Sequence, residues 1–285
     1  MKNYGLNLQL EREHSSPEDW TFGAFSTPCI ATIPENDRVK YLPVGEVQRG
    51  AEDMMDCATR GPINVLETKF NFLYQNDKIT PENRAWLEKN GYVQDGKVLF
   101  SDAYIAILSG TTREGNSLKA PLQAIENNGL VPKSLLPLTS SMTFEEYHNP
   151  QRITSVLLYM GQEFKKRFPI NYEKVYEVHY NELYEGDMLI EAGYAWPQPV
   201  NGEYPRVDYD PNHVWMGICR PLHTIFDNYI DTVDGDFIKK LAPDYDMLDY
   251  GYRLFISAEN KVINSLQKKS LWSRIWSWLT EFYKL

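Results

Sequence analysis

A thiol, an imidazole and a carboxylate that meet in space can carry out acyl transfer, and this chain sets one of each in an informative context. Cys57 lies in the run Glu46-Val47-Gln48-Arg49-Gly50-Ala51-Glu52-Asp53-Met54-Met55-Asp56-Cys57-Ala58-Thr59-Arg60-Gly61-Pro62-Ile63. After it, Ile63, Leu66, Phe70 and Leu73 recur at helical spacing. A cysteine that opens a helix feels the positive end of the helix dipole, which lowers its pKa and raises the thiolate fraction. Gln48, just upstream, can offer an amide N–H to the oxyanion formed when a thiolate attacks a carbonyl. A single cysteine is more often a small buried apolar residue, so this segment alone does not establish a nucleophile.

The imidazole comes from late in the chain. Asn212-His213-Val214-Trp215-Met216-Gly217-Ile218-Cys219 reads as a buried strand, followed by Arg220-Pro221 and a second strand, His223-Thr224-Ile225-Phe226-Asp227-Asn228-Tyr229. If the chain reverses around Arg220, His213 and Asp227, each seven residues away, face each other. Cross-strand partners approach to roughly 5 Å, close enough for a carboxylate to hold an imidazole N–H. Asp227 then fixes the tautomer, and the other ring nitrogen serves Cys57 as base and acid. Side chains alternate faces, so a one-residue change of register selects Asn228 instead. The plainer alternative is that His213 ends a strand and Asp227 belongs to a turn.

The elements that must bring these residues together can be read in order. Residues 1–45 are polar and turn-rich, with short apolar pieces such as Cys29-Ile30-Ala31-Thr32-Ile33, and read as an extended arm or edge strand. After the Cys57 helix, residues 81–90 form a short helix with Pro81 at its start and Gly91 as its stop. Another helix runs from a Ser101 cap to Gly110, and a third from Ser117 to the glycine stop at Gly129. Residues 150–168 read as a fourth, with Ile153, Val156, Leu157, Met160 and Phe164 on one face. From about residue 169 the pattern turns strand-like. Helices first and strands later indicate an α+β fold.

Composition narrows the functions. The 285 residues bury a core readily, and 42% hydrophobic with 24% charged residues is ordinary for a globular protein. The 19 Tyr and 7 Trp suit clefts and interfaces. A net charge of −10 disfavours nucleic-acid binding through phosphates. Cys29, Cys57 and Cys219, with no Cys-x-x-Cys pair, offer neither a disulfide framework nor a structural zinc site. The N-terminal residues lack the apolar run of a secretory signal, and no stretch has the length of a membrane span. The expectation is a cytoplasmic protein, or part of an assembly built in the cytoplasm.

From about Asp19 to Ile256 this order of features resembles the papain-like cysteine peptidases. Asp19-Trp20 resembles the family's early Asp-Trp, and Gln48 and Cys57 its oxyanion Gln and nucleophile. Ser101-Asp102-Ala103-Tyr104 looks like the helix start after the central helix, and Gly115-Asn116-Ser117-Leu118 like the glycine-rich segment of the substrate groove. Gly129-Leu130-Val131-Pro132 with Leu136-Pro137 is similar to the segment that follows it. Asn212-His213-Val214 resembles the strand that carries the histidine. Asp227-Asn228-Tyr229 sits where Asn-Ser-Trp would, and Tyr250-Gly251-Tyr252-Arg253-Leu254-Phe255-Ile256 looks like the closing strand. The resemblance implies a two-lobed α+β fold: an arm at 1–45, and a body at 46–260 whose helical lobe ends near 168 and whose β lobe covers 169–260. It also implies a thiol hydrolase of peptide or isopeptide bonds, with Cys57 as nucleophile, His213 as base and acid, Asp227 as orienting group and Gln48 at the oxyanion. Asn116 and Ser117 would line the groove, with no metal or cofactor.

The departures are as informative. Gln48 lies nine positions before Cys57, farther than the family usually places it. Asp56 beside the thiol should favour the protonated form, and Pro62 should disturb the first helical turns. About 45 residues precede Gln48, short for the usual inhibitory propeptide. These features suit a second class of function, a papain fold kept as a structural subunit of a larger assembly such as a virus particle. Chains without signal or propeptide are similar in this to bacteriophage-encoded relatives. A third possibility is an amidase or transglutaminase-like acyl transferase. Within residues 261–285 an amphipathic helix is expected, with Ser270 as cap and Trp272, Ile275, Trp276, Leu279 and Phe282 on one face. It would pack back on the body or dock on a protein partner; four lysines and one arginine are few for a membrane surface.

Overall fold

One buried helix organises the chain. In the computed structural model, which describes residues 5–14, 31–177, 187–219, 222–228 and 236–257, α2 (Cys57–Gln75) is buried from Cys57 to Tyr74. The apolar stripe seen in sequence accounts for only part of that surface. Polar residues on the remaining face must find partners once water is excluded. Asn64 Nδ2 donates to Asn228 Oδ1 (2.5 Å), and Thr68 Oγ1 donates to the Asn64 carbonyl (2.7 Å). Lys69 Nζ pairs with Asp187 (2.5 Å), and Asn71 Oδ1 accepts from Val98 N (2.7 Å). Pro62 lies inside this helix without breaking it; it removes only the N–H that would have reached the Ala58 carbonyl.

Glu67, also on α2, accepts from Phe100 N (2.7 Å) and is pushed by burial up to about 8, against the pull of Lys133. Unfolded, its ordinary value is 4.5, so the unfolded chain releases this proton first as pH rises. Its contribution is complete below that value and is lost as pH climbs to about 8, on the order of 5 kcal/mol in all. Glu67→Gln keeps an acceptor for Phe100 N and should flatten this decline. Urea midpoints for both chains at about pH 5 and about pH 9 check it, since the variant should lose less stability between them.

The helices around α2 begin and end where their capping residues dictate. α3 (Pro81–Lys89) is capped by Thr80, whose hydroxyl accepts from Asn83 N, and α4 (Asp102–Leu108) by Ser101, which accepts from Tyr104 N. α5 (Lys119–Asn128) stops at Gly129. The short hairpin β1 (Val93–Gln94) and β2 (Lys97–Val98) and the single-turn helix α6 (Phe144–Tyr147) complete this side.

Two expectations shift here. The fourth helix, α7 (Ser155–Arg167), starts later than the sequence suggested, because Pro150–Arg152 form a separate 3-10 turn and Thr154 caps the helix. Leu157, Gly161 and Phe164 face inward while Val156 is 67% exposed. The arm is not simply extended: Leu8–His14 form a helix, α1, and Glu35–Tyr41 a 3-10 turn.

Phe70 of α2 packs against Phe100, Phe164 and Phe168 at centroid distances of 5.2, 5.5 and 5.1 Å, which fixes α7 to the central helix. The later part of the chain forms a six-stranded sheet of order β3-β8-β4-β5-β6-β7. Its strands are β3 (Ile170–Tyr176), β4 (Leu189–Gly193), β5 (His213–Cys219), β6 (Thr224–Phe226), β7 (Ile238–Lys240) and β8 (Tyr250–Ile256). All its pairings are antiparallel, and the α+β expectation holds. Gly61 lets α2 approach β5: a Cβ there would lie 3.0 Å from Val214 Cγ1. This close crossing brings the start of α2 to the start of β5.

Asp19-Trp20, Cys29, Arg220-Pro221, Tyr229 and the C-terminal segment with Trp272, Ile275, Trp276, Leu279 and Phe282 lie outside the described residues. No helix among the described residues is long and apolar enough to cross a membrane.

Candidate active site

Cys57 is the first residue of α2, and His213 the first of β5. The two side chains are joined by a hydrogen bond, and Val214 N–H also donates to the sulfur. His213 Nε2 lies 2.7 Å from Asp227 Oδ1, which leaves Nδ1 for the thiol. The expected route to this contact is corrected. Met216 pairs with Phe226 and Gly217 with Ile225, and a bulge follows before Cys219. Extending that register sets Asp227 opposite Trp215, so the carboxylate reaches His213 along the diagonal, within the span cross-strand neighbours cover. The register differs from the expected one by two residues, which preserves the face. The second strand is also shorter than read, Thr224–Phe226 alone. Asn228 is placed on other duties: it accepts from Asn64 and donates through Nδ2 to the Glu46 carbonyl (2.8 Å).

Burial pushes the Cys57 thiol above its ordinary value, opposed by the His213 imidazole. Burial alone would lower His213, but Asp227 and Cys57 outweigh it, and the imidazole lies well above 6.5. Asp56, expected to burden the thiol, turns away from it. Its Oδ1 accepts from Arg60 Nε (2.9 Å) and its Oδ2 from the Tyr147 hydroxyl (2.7 Å). The acid that does bear on the sulfur is Asp53, whose charge adds to the upward push. Gln48 is buried beside it: its Nε2 donates to Asp53 Oδ1 (3.1 Å), and its backbone N–H to the Asn228 carbonyl (3.1 Å). A longer spacer between Gln48 and Cys57 has thus become a turn in which Asp53 holds both the Gln48 amide and Met55 N (2.8 Å).

The site is closed by the chain's own beginning. Cys57 is 1% exposed and His213 is fully buried. Gly5 lies over the sulfur with φ +113, and a Cβ there would sit 3.0 Å from Sγ and 2.6 Å from the Met55 carbonyl oxygen. Residues 5–7 run parallel to Asn116, which donates to the Gly5 carbonyl (2.9 Å) and accepts from Asn7 N (2.8 Å). On the other side Leu6 N donates to the Asn212 carbonyl (3.3 Å). Asn116, expected with Ser117 to line a groove, is thus the residue on which this strap is held. Ser117 Oγ lies 2.7 Å from His14 Nδ1. Glu11, buried at 1%, accepts from Leu118 N (2.7 Å) at the start of α5 and from the Tyr250 hydroxyl (2.9 Å). A carboxylate at a helix N-terminus is a favourable placement and clips α1 onto the body.

Two residues of the site had no role in the sequence reading. Trp196 donates through Nε1 to Asp227 Oδ2 (3.1 Å), and its ring stands edge-on to the imidazole at 5.8 Å. Lys239 lies 3.7 Å from the same carboxylate oxygen. Neither has a local motif; both reach Asp227 only through the sheet. Among the described residues no group of three or more His, Cys, Asp or Glu side chains is placed to hold a metal ion.

No protein-family model and no curated protein matches the sequence. Solved structures do match. Xylellain, a cysteine protease from Xylella fastidiosa, aligns with a TM-score of 0.51 at 13% identity, over 90% of this chain and 96% of that one. Procathepsin B from Trypanosoma congolense aligns at 0.47 and 11% identity, over 90% and 87% of the two chains. Procathepsin L 3 of the Tenebrio molitor larval midgut aligns at 0.44 and 10% identity, over 90% and 76%. The likeness to xylellain gives this chain a papain-like fold.

Proposed function

We propose that this papain-like fold houses a latent thiol hydrolase acting on peptide or isopeptide bonds. The observation that carries the reading is Cys57 at a helix start, hydrogen-bonded to an imidazole whose other nitrogen is 2.7 Å from a buried carboxylate. In the proposed reaction the thiol proton passes to His213 Nδ1 first, and the thiolate beside the resulting imidazolium attacks the substrate carbonyl. The oxyanion is met by the Cys57 backbone N–H and by Gln48, whose amide plane Asp53 holds. Collapse expels the amine, which leaves with the proton from His213. Water then attacks the thioester with His213 as base, restoring the thiol and releasing the acid. Asn116 and Ser117 line the groove once residues 5–7 withdraw.

The same closed sulfur favours a second reading, in which the fold is a scaffold in an assembly and Cys57 is only a core residue. One experiment separates the two. The full chain and a chain that begins at Asn7 are incubated with a denatured protein substrate under reducing conditions, with Cys57→Ala as control. Hydrolysis expects peptide products and an acyl adduct on Cys57, stronger in the shortened chain and absent from the control. No cleavage by either chain, with Cys57 no more reactive than the thiol of a short peptide, leaves the scaffold reading.

A further inference from the structure

Asp227 carries more than the imidazole. Its side chain is 1% exposed, and it takes His213 Nε2 on Oδ1 and Trp196 Nε1 on Oδ2. Lys239 Nζ, on a fully buried side chain of β7, stands 3.7 Å from Oδ2 and donates to the Asp236 carbonyl (2.5 Å). The ammonium lies 5.9 Å from the centroid of the Trp196 ring, so a buried carboxylate, a half-buried indole and a buried ammonium form one cluster. A lysine side chain is rarely buried fully unless it is paired, and here its charged partner is Asp227.

We propose that Lys239 is a positioning residue that offsets part of the charge of Asp227, so that the carboxylate orients the imidazole while binding its proton less tightly than an unpaired carboxylate would. A neutral carboxamide could orient the ring equally well. An unbalanced buried carboxylate would bind the imidazole proton so tightly that it could not be passed to a leaving amine. With Lys239 in place part of that charge is offset, while Asp227 still holds His213 above its ordinary value. The other groups that face the ring are Cys57 at the start of α2, Asp53 in the turn before it and, through Asp227, the Tyr245 phenol. Glu191 of β4 lies one partner away, accepting from Trp215 Nε1 (3.2 Å). None of them is a second cation.

The role rests on the hydrolase reading, but its test does not. The His213 ring is titrated by nitrogen-15 NMR in the full-length chain, in four forms: wild type, Lys239→Met, Asp227→Asn and the double variant. Lys239→Met should move the His213 midpoint up by roughly one pH unit or more, and Asp227→Asn should move it down. The double variant should return close to wild type, and Lys239→Arg, which keeps the cation, should stay there. Should Lys239→Met fail to fold, folding of the double variant supports the proposal, because only an unbalanced charge has then been removed. An unmoved midpoint in Lys239→Met, or loss of folding in both variants, overturns it. If the titrations behave as expected and no substrate is cleaved, the hydrolase reading fails and the charge balance stands.

Discussion

A chain that begins at Asn7 should be alkylated at Cys57 by iodoacetamide at least roughly tenfold faster than the full-length protein near neutral pH. The figure has two parts. Three backbone hydrogen bonds hold the strap at Gly5, Leu6 and Asn7, each worth about 1 kcal/mol net. Burial of Leu6, which is 3% exposed, adds roughly 2 kcal/mol. Ordering the backbone of this short segment costs about 3–4 kcal/mol, so closure is favoured by only about 1–2 kcal/mol, or roughly tenfold. The second part comes from hydration. Burial is the leading cause of the raised Cys57 thiol, and once water returns, His213 and the helix dipole are opposed only by the charge of Asp53. The lowered thiol raises the thiolate fraction further. The pH dependence of alkylation in the shortened chain should therefore shift to lower pH. Gly5→Ala tests the same latch in the full chain. Its Cβ meets the Met55 carbonyl at 2.6 Å in a backbone conformation that alanine rarely adopts, so reactivity should rise there too. Wild-type rates in both variants would mean that the sulfur is closed by something other than residues 5–7.

His213→Ala in the opened chain should lower peptide hydrolysis by roughly 10²–10⁴-fold and bring Cys57 alkylation down to the rate of an ordinary thiol. Among the described residues the imidazole is the proton acceptor hydrogen-bonded to the sulfur, and its attraction opposes the cost of burial at Cys57. A loss in turnover with little change in KM would mark it as acting in the chemical step. Equal alkylation rates with and without His213 would show that the hydrogen bond between the two is only a packing contact, and acyl transfer by this pair would be abandoned.

Much of the architecture is written locally. Ser101, Thr80-Pro81 and Gly129 mark helix ends because capping chemistry acts within one turn. Val156 and the late start of α7 were missed because Thr154 competes with Pro150 for the helix start, and apolar spacing alone does not say which wins. The meeting of His213 and Asp227 came from counting outward from Arg220. The turn and the bulge between Gly217 and Cys219 together shift that count by two, and two is the change that leaves the faces alone. Asp56 could not be placed from its neighbours in sequence, since its direction is set by Tyr147, on a different helix. Trp196, Lys239 and the strap at Gly5 have no periodic or motif signal; each depends on contacts between segments far apart in the chain.

On the proposed hydrolase reading, the strap has a consequence for any peptide substrate. Asn116 and the Asn212 carbonyl, already engaged by residues 5–7, are the groups that would grip an incoming backbone. Free ligand and tethered ligand are thus rivals for one set of partners, and the tethered one is present at an effective concentration on the order of millimolar. Substitutions that tighten the grip on peptide backbone strengthen both rivals alike and gain little. Selectivity must come from side chains the tether lacks, so the best ligands will be those that bind beyond the stretch that Gly5, Leu6 and Asn7 cover.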